Sequence, residues 1–434
     1  MVAAGLCTRC GACAGVCPAG AVRLEAENGY FPRLTAGCTQ CGRCLQVCGG
    51  REVDFPALAE RHYGRRESFR ENAIGPLRFS EAAFSRDERV RKNGSSGGLA
   101  SQILIDLLAA GTIDGAVVVD FTEDTPPRPV PRVARSRQEI VRASQSKYCL
   151  FPVAHVYREL IDTPGRYAVV GLPCQLHSLR KWQEASGKLR ERVVLAIGLF
   201  CHTNLEPGVI GDLLASKGIA PSRVRRLEFR GGAWPGGMRV TLEDGRIVPL
   251  HPGDIKDGAF NYLKYLYGAA RCRLCPDFSA ELADIAISDP WVRGPRGEYL
   301  FQGGWSVAHV RTPVGEKFWE EVKKRGQVTT APVVREAILA GNRSLTRYKK
   351  KNLPARLAWR QSRNRPVPEY HLGPLTVGRR ALAREQVAAL LLRVLHSGPV
   401  RRLLLLVLFS RSGIVLIRAR AASKKVMFCW GKHA

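Results

Sequence analysis

Cys7-x-x-Cys10-x-x-Cys13-x-x-x-Cys17-Pro18 is echoed by Cys38-x-x-Cys41-x-x-Cys44-x-x-x-Cys48, so that the first 48 residues hold eight of the 14 cysteines. Three thiolates spaced by two residues wrap one corner of a 4Fe–4S cube. The fourth, three residues on, points away and reaches the other cube. The spacing therefore assigns Cys7, Cys10, Cys13 and Cys48 to one cluster, and Cys38, Cys41, Cys44 and Cys17 to a second. Zinc needs only four ligands and gives no reason for the three-plus-one pattern. Disulfides fit worse. Clusters of this kind move single electrons.

The chain between the runs agrees. Ala21–Glu25 alternates apolar and polar residues, Glu27-Asn28-Gly29 signals a turn, and Tyr30–Leu34 returns as a second strand. The segment resembles the small two-cluster ferredoxin domain of bacterial type. One departure is Gly49, which stands after Cys48 where proline is usual.

At 434 residues the chain has length for two or three domains and a buried core. Thiolate-ligated clusters need reducing conditions, which points to a cytoplasmic protein. Cys7 arrives before an apolar leader could form, so no signal peptide is expected. No stretch approaches the roughly 20 apolar residues of a spanning helix. The net charge is +29, and from Tyr370 to Ala434 there are 12 Lys or Arg against one acid, Glu385. Such an excess suits nucleic acid, an anionic membrane or an acidic partner. The basic region carries no zinc-finger, helix-turn-helix or RNA-binding signature, which argues against nucleic acid.

Further along, Ser95-Ser96-Gly97-Gly98 opens an apolar helical run, Leu99–Ala110, that stops at Gly111 and is followed by a strand over Ile113–Asp120. Tyr167–Gly171, Arg192–Leu199 and Asp284–Ser288 are short β-rich runs with helical patterns between some of them. This alternation argues an α/β domain around a mostly parallel sheet. The expected architecture is an α+β ferredoxin-like module with two 4Fe–4S clusters (1–57), a linker (58–88), an α/β catalytic domain (89–345) and a basic helical tail (346–434).

The remaining cysteines form a second set. Cys174 and Cys201 lie just past two of the β runs, and carboxyl ends of strands line the ligand crevice of open α/β sheets. Cys272 and Cys275 form a tight pair before another strand. Together they offer four thiolates from three loops. Ordinary buried cysteines and a zinc site are the competing readings; beside two clusters already present, a third cluster is preferred. Cys149 and Cys429 have no partners by spacing and are read as structural.

Ser95-Ser96-Gly97-Gly98, Gln145-Ser146-Lys147-Tyr148, Gly171-Leu172-Pro173-Cys174-Gln175, Cys201-His202, Cys272-x-x-Cys275-Pro276-Asp277 and Ala283-Asp284-Ile285 with Ser288-Asp289 follow one another in this order. In this the chain resembles the family of coenzyme F420 hydrogenase/dehydrogenase beta subunits, over roughly residues 1–345. The resemblance implies an FAD domain, an adjacent cluster, and hydride exchange with a substrate stacked on the flavin. Ser288 stands where the family's Gly-Asp would place glycine.

A flavin converts between one-electron clusters and two-electron chemistry. Ser95, Ser96, Gly97 and Gly98, at a helix start, suit its pyrophosphate; a plain serine N-cap is the other reading. Lys147, beside Tyr148, reads either as a cation near the flavin or as a solvated lysine. His202 reads either as a proton donor or as a structural histidine. The expected function is an iron–sulfur flavoprotein oxidoreductase, taking electrons from a ferredoxin or other redox protein to a small molecule such as coenzyme F420. The alternatives are an electron-transfer subunit of a larger complex, and a ferredoxin module on a binding domain without flavin. The tail, opened by Lys349-Lys350-Lys351, is expected either to lie on an anionic membrane or to pack on protein.

Overall fold

Gly11 and Gly42, both left-handed at φ 91° and 75°, turn the chain inside the two Cys runs and start the short helices Ala12–Val16 and Arg43–Gln46. The computed structural model describes residues 1–64, 73–251, 260–294, 296, 298–373 and 376–430. Between the two helices, β1 (Val22–Arg23) pairs with β2 (Arg33–Leu34), with Val22 opposite Leu34. This is the expected hairpin, trimmed to its central residues.

The other strands are β3 (Phe79–Ser85), β4 (Gly115–Phe121), β5 (Pro129–Ala134), β6 (Tyr167–Gly171), β7 (Val193–Leu199), β8 (Val224–Gly231), β9 (Gly237–Leu242), β10 (Ile247–Pro249), β11 (Ile285–Ser288), β12 (Ser306–Val310) and β13 (Val328–Pro332). Eight of them form one sheet in the order β13-β3-β12-β11-β7-β6-β4-β5. Strands β11, β7, β6 and β4 are parallel, and the flanking pairings are antiparallel. The sheet is therefore mixed, with a parallel centre.

Successive side chains on a strand serve opposite faces. Ala116, Ala168, Leu195 and Ile197 meet Leu99, Ile103 and Leu107 of helix Leu99–Ala109, together with Phe318 and Trp319. Val117, Tyr167, Val169 and Ala196 meet Tyr157 and, from helix Pro173–Ala185, Leu176, Leu179 and Trp182. Cys10, Ala12, Val16 and Val47 of the iron–sulfur module join that second core. A Cβ on Gly11 would stand 2.9 Å from the Pro152 carbonyl, so the module is seated against the sheet domain backbone to backbone. A smaller antiparallel sheet, β10-β9-β8, has its own core, which takes in Leu405 and Phe409 from the C-terminal helices.

Two parts of the expected division are corrected. The stretch 58–88 is not a linker among its described residues. Helix Phe55–Tyr63 crosses its first boundary and buries Phe55, Leu58 and Ala59, and β3 lies inside the large sheet between β13 and β12. Polar Ser80, Glu81 and Ser85 hid this strand's pattern. Nor does 346–434, basic and mostly helical as expected, stand as a unit apart from the domain before it. Lys349, the first lysine of the run, is 1% exposed, and Leu353, Arg356, Leu357 and Tyr370 are buried as well. Helices Arg379–Leu395, Gly398–Leu408 and Arg411–Trp430 follow. Among the described residues no helix is long and apolar enough to cross a membrane.

Candidate functional site

Of the eight N-terminal cysteines Cys10 is buried, Cys41 is exposed and the other six are half-buried. Cys7, Cys10, Cys13 and Cys48 sit toward the sheet domain, whereas nearly every residue from Arg33 to Gln46 is exposed, Cys41 included. Burial raises the Cys7 thiol to about 11, with Cys10 and Cys48 adding to it. Burial likewise raises Cys13, which feels Cys10, Cys7, Cys48 and then Cys44. Those neighbours are the set assigned by spacing, with the second set adjoining.

The second cysteine set also converges. Burial holds the Cys174 thiol well above its ordinary value, and Cys275, Cys201, Cys272 and Cys10 reinforce that in turn. Cys174 comes from the first turn of helix Pro173–Ala185, Cys201 from just past β7, and the pair from the turn Ala270–Leu274 and its cap. Four half-buried thiols facing one another are a poor apolar core, but they fit a metal group that takes up thiolate charge. A tetrahedral zinc with ligands at 2.3 Å would bring sulfurs to about 3.8 Å from one another. Among the described residues, the one trio of ligand atoms within 4.8 Å of one another is Glu52, Glu369 and His371, not a cysteine set.

Cys201 also lies on the wall of a cavity of about 450 Å³ at the carboxyl ends of β6, β7 and β11. Ser95, Ser96 and Gly98 line one side, and Lys147, Tyr148 and His202 line others; Gly97 lies behind the wall. Ser95 Oγ accepts the Ser146 N–H at 2.7 Å, tying the two motifs together. Ser96 donates to the Trp305 carbonyl. A Cβ on Gly98 would stand 2.7 Å from the Val90 carbonyl, and one on Gly97 2.7 Å from that of Ala83. The two glycines are thus required by the neighbouring backbone, independently of any ligand.

Lys147 lines the cavity but is not solvated. Its ammonium donates to the carbonyls of Ala143 (2.6 Å), Ser144 (2.7 Å) and Gln145 (3.1 Å), closing the end of helix Arg137–Arg142. Burial draws it down to about 7, with Asp120 opposing. His202 stacks on Tyr348 at 4.8 Å, and its Nδ1 is buried without a hydrogen-bond partner among the described residues. Burial, then Lys264, Lys349 and Arg356, push it down to about 2, so it is a neutral imidazole.

The sequence did not single out Arg230, at the end of β8. Its Nη1 donates to both Asp289 oxygens (2.9 and 3.1 Å) and its Nε to the Pro235 carbonyl (2.9 Å), leaving Nη2 buried without a partner among the described residues. An orphaned guanidinium nitrogen on a cavity wall fits an anionic group of a ligand. Small residues on the opposite rim fit close approach of a phosphate, so the cavity is compatible with a flavin nucleotide. The Phe229-Arg230-Gly231-Gly232 run, a basic residue leading into two glycines, was the available signal. Ser288, where glycine was expected, turns its hydroxyl to His309 Nε2 at 2.9 Å.

Residues 81–158 match the N-terminal part of the coenzyme F420 hydrogenase/dehydrogenase beta subunit, and residues 165–336 its C-terminal part. The chain belongs to the family of coenzyme F420 hydrogenase/dehydrogenase beta subunits. Residues 6–52 match a 4Fe–4S dicluster domain, which spans all eight N-terminal cysteines. The chain is 29% identical over 344 residues to a subunit of the F420H2 dehydrogenase of Methanosarcina mazei, covering 75% of this chain and 85% of that one. It is 25% identical to a beta subunit of the coenzyme F420 hydrogenase of Methanothermobacter thermautotrophicus, covering 68% of this chain and 99% of that one. A chain of the F420-reducing [NiFe] hydrogenase complex from Methanosarcina barkeri has a similar fold, with a TM-score of 0.54 at 23% identity, covering 68% and 97%. The matched ranges hold the second cysteine set and most of the cavity wall, while Gly341, Asn342, Ser344 and Leu345 of that wall, Lys349 and Tyr370 lie beyond all three.

Proposed function

We propose that this chain is an FAD- and 4Fe–4S-dependent oxidoreductase. In this reading it passes electrons between a ferredoxin-like donor and a small-molecule substrate, coenzyme F420 being favoured by the names of its relatives. The observation that carries the reading is the position of the second cysteine set. Cys174 adjoins Cys10 on one side, and Cys201 forms part of the cavity wall on the other. With a third cluster held by Cys174, Cys201, Cys272 and Cys275, the redox groups form a line from the exposed Cys38–Cys44 loop to the cavity. The donor docks at that loop, where Arg33, Arg43 and Arg51 face no acid between Tyr30 and Arg51.

FAD supplies the exchange between single electrons and a hydride. Ser95, Ser96 and the backbone at the start of helix Leu99–Ala109 would hold its pyrophosphate. Arg230 would anchor an anionic group of the flavin or substrate through Nη2. His202, being neutral, contributes an imidazole hydrogen bond rather than an imidazolium charge. Lys147 holds the loop that carries Tyr148 in place, which makes it a positioning residue.

The test is anaerobic reconstitution followed by mixing with reduced coenzyme F420. The reading expects one FAD per chain, and loss of flavin and cluster absorbance as F420 is reoxidised. A correctly reconstituted protein that binds no flavin would overturn it and favour an electron-transfer subunit.

The C-terminal helices add a membrane role to the proposal. Val387, Leu390, Leu391 and Val394 stand exposed at helical spacing on Arg379–Leu395, and Leu403, Leu406 and Val407 are exposed on the next helix. Arg379, Arg380, Arg384, Arg393, Arg401 and Arg402 accompany them. An apolar stripe with arginines beside it matches the interfacial helix of a peripheral protein on an anionic bilayer.

A further inference from the structure

The family match ends at Glu336, yet the chain just beyond it returns to the second cysteine set. Arg347–Lys351 is a π-helical turn, a form in which an extra residue is accommodated and which recurs at functional sites. It directs three consecutive side chains inward. Tyr348 stacks on His202, Lys350 pairs with Glu281, and Lys349 donates to the Cys272 carbonyl at 2.8 Å.

Lys349 is the unusual one of the three. It is 1% exposed, and it has no carboxylate partner among the described residues. An unpaired buried ammonium costs several kcal/mol and persists only where something else supplies negative charge. Here the neighbours are thiols. The Cys272 carbonyl holds the Lys349 ammonium against the turn that carries Cys272 and Cys275. Two other cations lie nearby, and Nη2 of one of them, Arg356, is buried without a hydrogen-bond partner among the described residues. Arg271 donates to the Leu6 and Gly50 carbonyls and to Tyr370, and Arg356 donates to the Arg273 carbonyl. Asp277 is paired with His177 at 3.0 Å.

We propose that Lys349 is a built-in counter-charge for a cluster held by Cys174, Cys201, Cys272 and Cys275, and that it sets that cluster's reduction potential. The inference rests on the third-cluster reading above. A cube with four thiolates is anionic and gains one more negative charge on reduction. A fixed cation beside it stabilises the reduced form more than the oxidised one and raises the midpoint, since net charge and hydrogen bonding are the levers on such potentials. The consequence is directional: the cluster beside the cavity is made easier to reduce than the same four ligands alone would make it.

The experiment is an EPR-monitored redox titration of the anaerobically reconstituted full chain, with iron analysis on each sample. Lys349→Gln keeps a donor for the Cys272 carbonyl and removes the charge, Lys349→Met removes both, and Lys349→Arg keeps the charge. The expected result is a shift of one of three midpoints to a more negative value in Lys349→Gln and Lys349→Met, with Lys349→Arg near the wild type. The other two midpoints and the iron content stay unchanged. A wild-type midpoint in an iron-replete Lys349→Gln would overturn the counter-charge while leaving the third cluster standing. Should Lys349→Met lose iron, the Gln and Arg variants decide the matter. A wild type with only two clusters would overturn both.

Discussion

Cys10 Sγ lies 3.2 Å from Ser178 Oγ, and Ser178 belongs to the same helix as Cys174. The hydroxyl also receives the Gly49 N–H at 3.3 Å and faces the Cys174 carbonyl at 3.4 Å. It has a single proton to give. A ligating thiolate at Cys10 is the stronger acceptor, so Ser178 is a direct polar link between the iron–sulfur module and the second cysteine set, beside that of Arg271 to the Leu6 and Gly50 carbonyls.

That link is testable. Ser178→Ala removes a hydrogen bond to a cluster sulfur, which should lower the midpoint of the cluster held by Cys7, Cys10, Cys13 and Cys48. The stability loss should be about 1 kcal/mol, with full iron content. Potentiometric EPR and urea unfolding measure the two effects separately. An unmoved midpoint would reduce Ser178 to a packing residue.

In the cavity, Ser95→Asp is a cleaner probe than any change at Gly98, because a side chain at Gly98 collides with the Val90 carbonyl. Aspartate can still accept the Ser146 N–H, yet it sets a like charge where the pyrophosphate is placed. Arg230→Lys keeps a cation for Asp289 but loses the second donor arm. Each change should weaken FAD binding roughly tenfold or more, in line with about 1.5–3 kcal/mol for a charged hydrogen bond. Flavin retained after gel filtration at low concentration reads this out, and unchanged retention in both variants would move the flavin elsewhere.

Stability should fall on mild acidification. His309 is fully buried between Ser80 and Ser288, both at 2.9 Å, and burial followed by Arg311 holds it well below the ordinary histidine value. The unfolded chain takes up a proton near pH 6.5 that the folded chain refuses, so the stabilisation is complete above that pH and is lost as the pH falls below it. His309 alone contributes a slope of up to about 1.4 kcal/mol per pH unit below that point. Urea unfolding from pH 7.5 to 5.5 should show the loss, and His309→Asn should flatten it. An equal slope in the variant would assign the effect to other groups.

For the C-terminal helices, truncation is a poor test, because Glu385 pairs with Arg273 and Leu405 and Phe409 lie in a core. The double change Leu390→Asp and Leu391→Asp touches exposed positions only. The intact protein should sediment with anionic vesicles at low salt and be released at high salt, each basic residue contributing about 1 kcal/mol. The double variant should stay in solution with clusters and flavin bound. Equal sedimentation of both proteins would exclude this stripe as the contact.

Much of the site was legible because local rules governed it. The doubled Cys spacing and the strands ending at Gly171, Leu199 and Ser288 each follow from nearby residues. What escaped depends on distant partners. The polar strand β3 is a strand because β12 and β13 flank it. Lys147 looked available to a ligand until three carbonyls were seen to hold it. Lys349 and Lys350 read only as the opening of a basic tail, and the π-helical turn is what brings them inward. Arg230 gave little local signal, since its importance comes from Asp289 and from the donor it leaves open.

The central claim is the line of three clusters reaching the cavity, and iron content tests it most directly. The reconstituted wild type should hold ~12 iron atoms per chain. The double variant Cys272→Ala, Cys275→Ala should hold ~8, by four thiolates to each cube, with the ferredoxin-type EPR signals unchanged. A wild type with ~8 iron atoms, whether or not one zinc accompanies them, would contradict the account and leave the second cysteine set without a role in electron transfer.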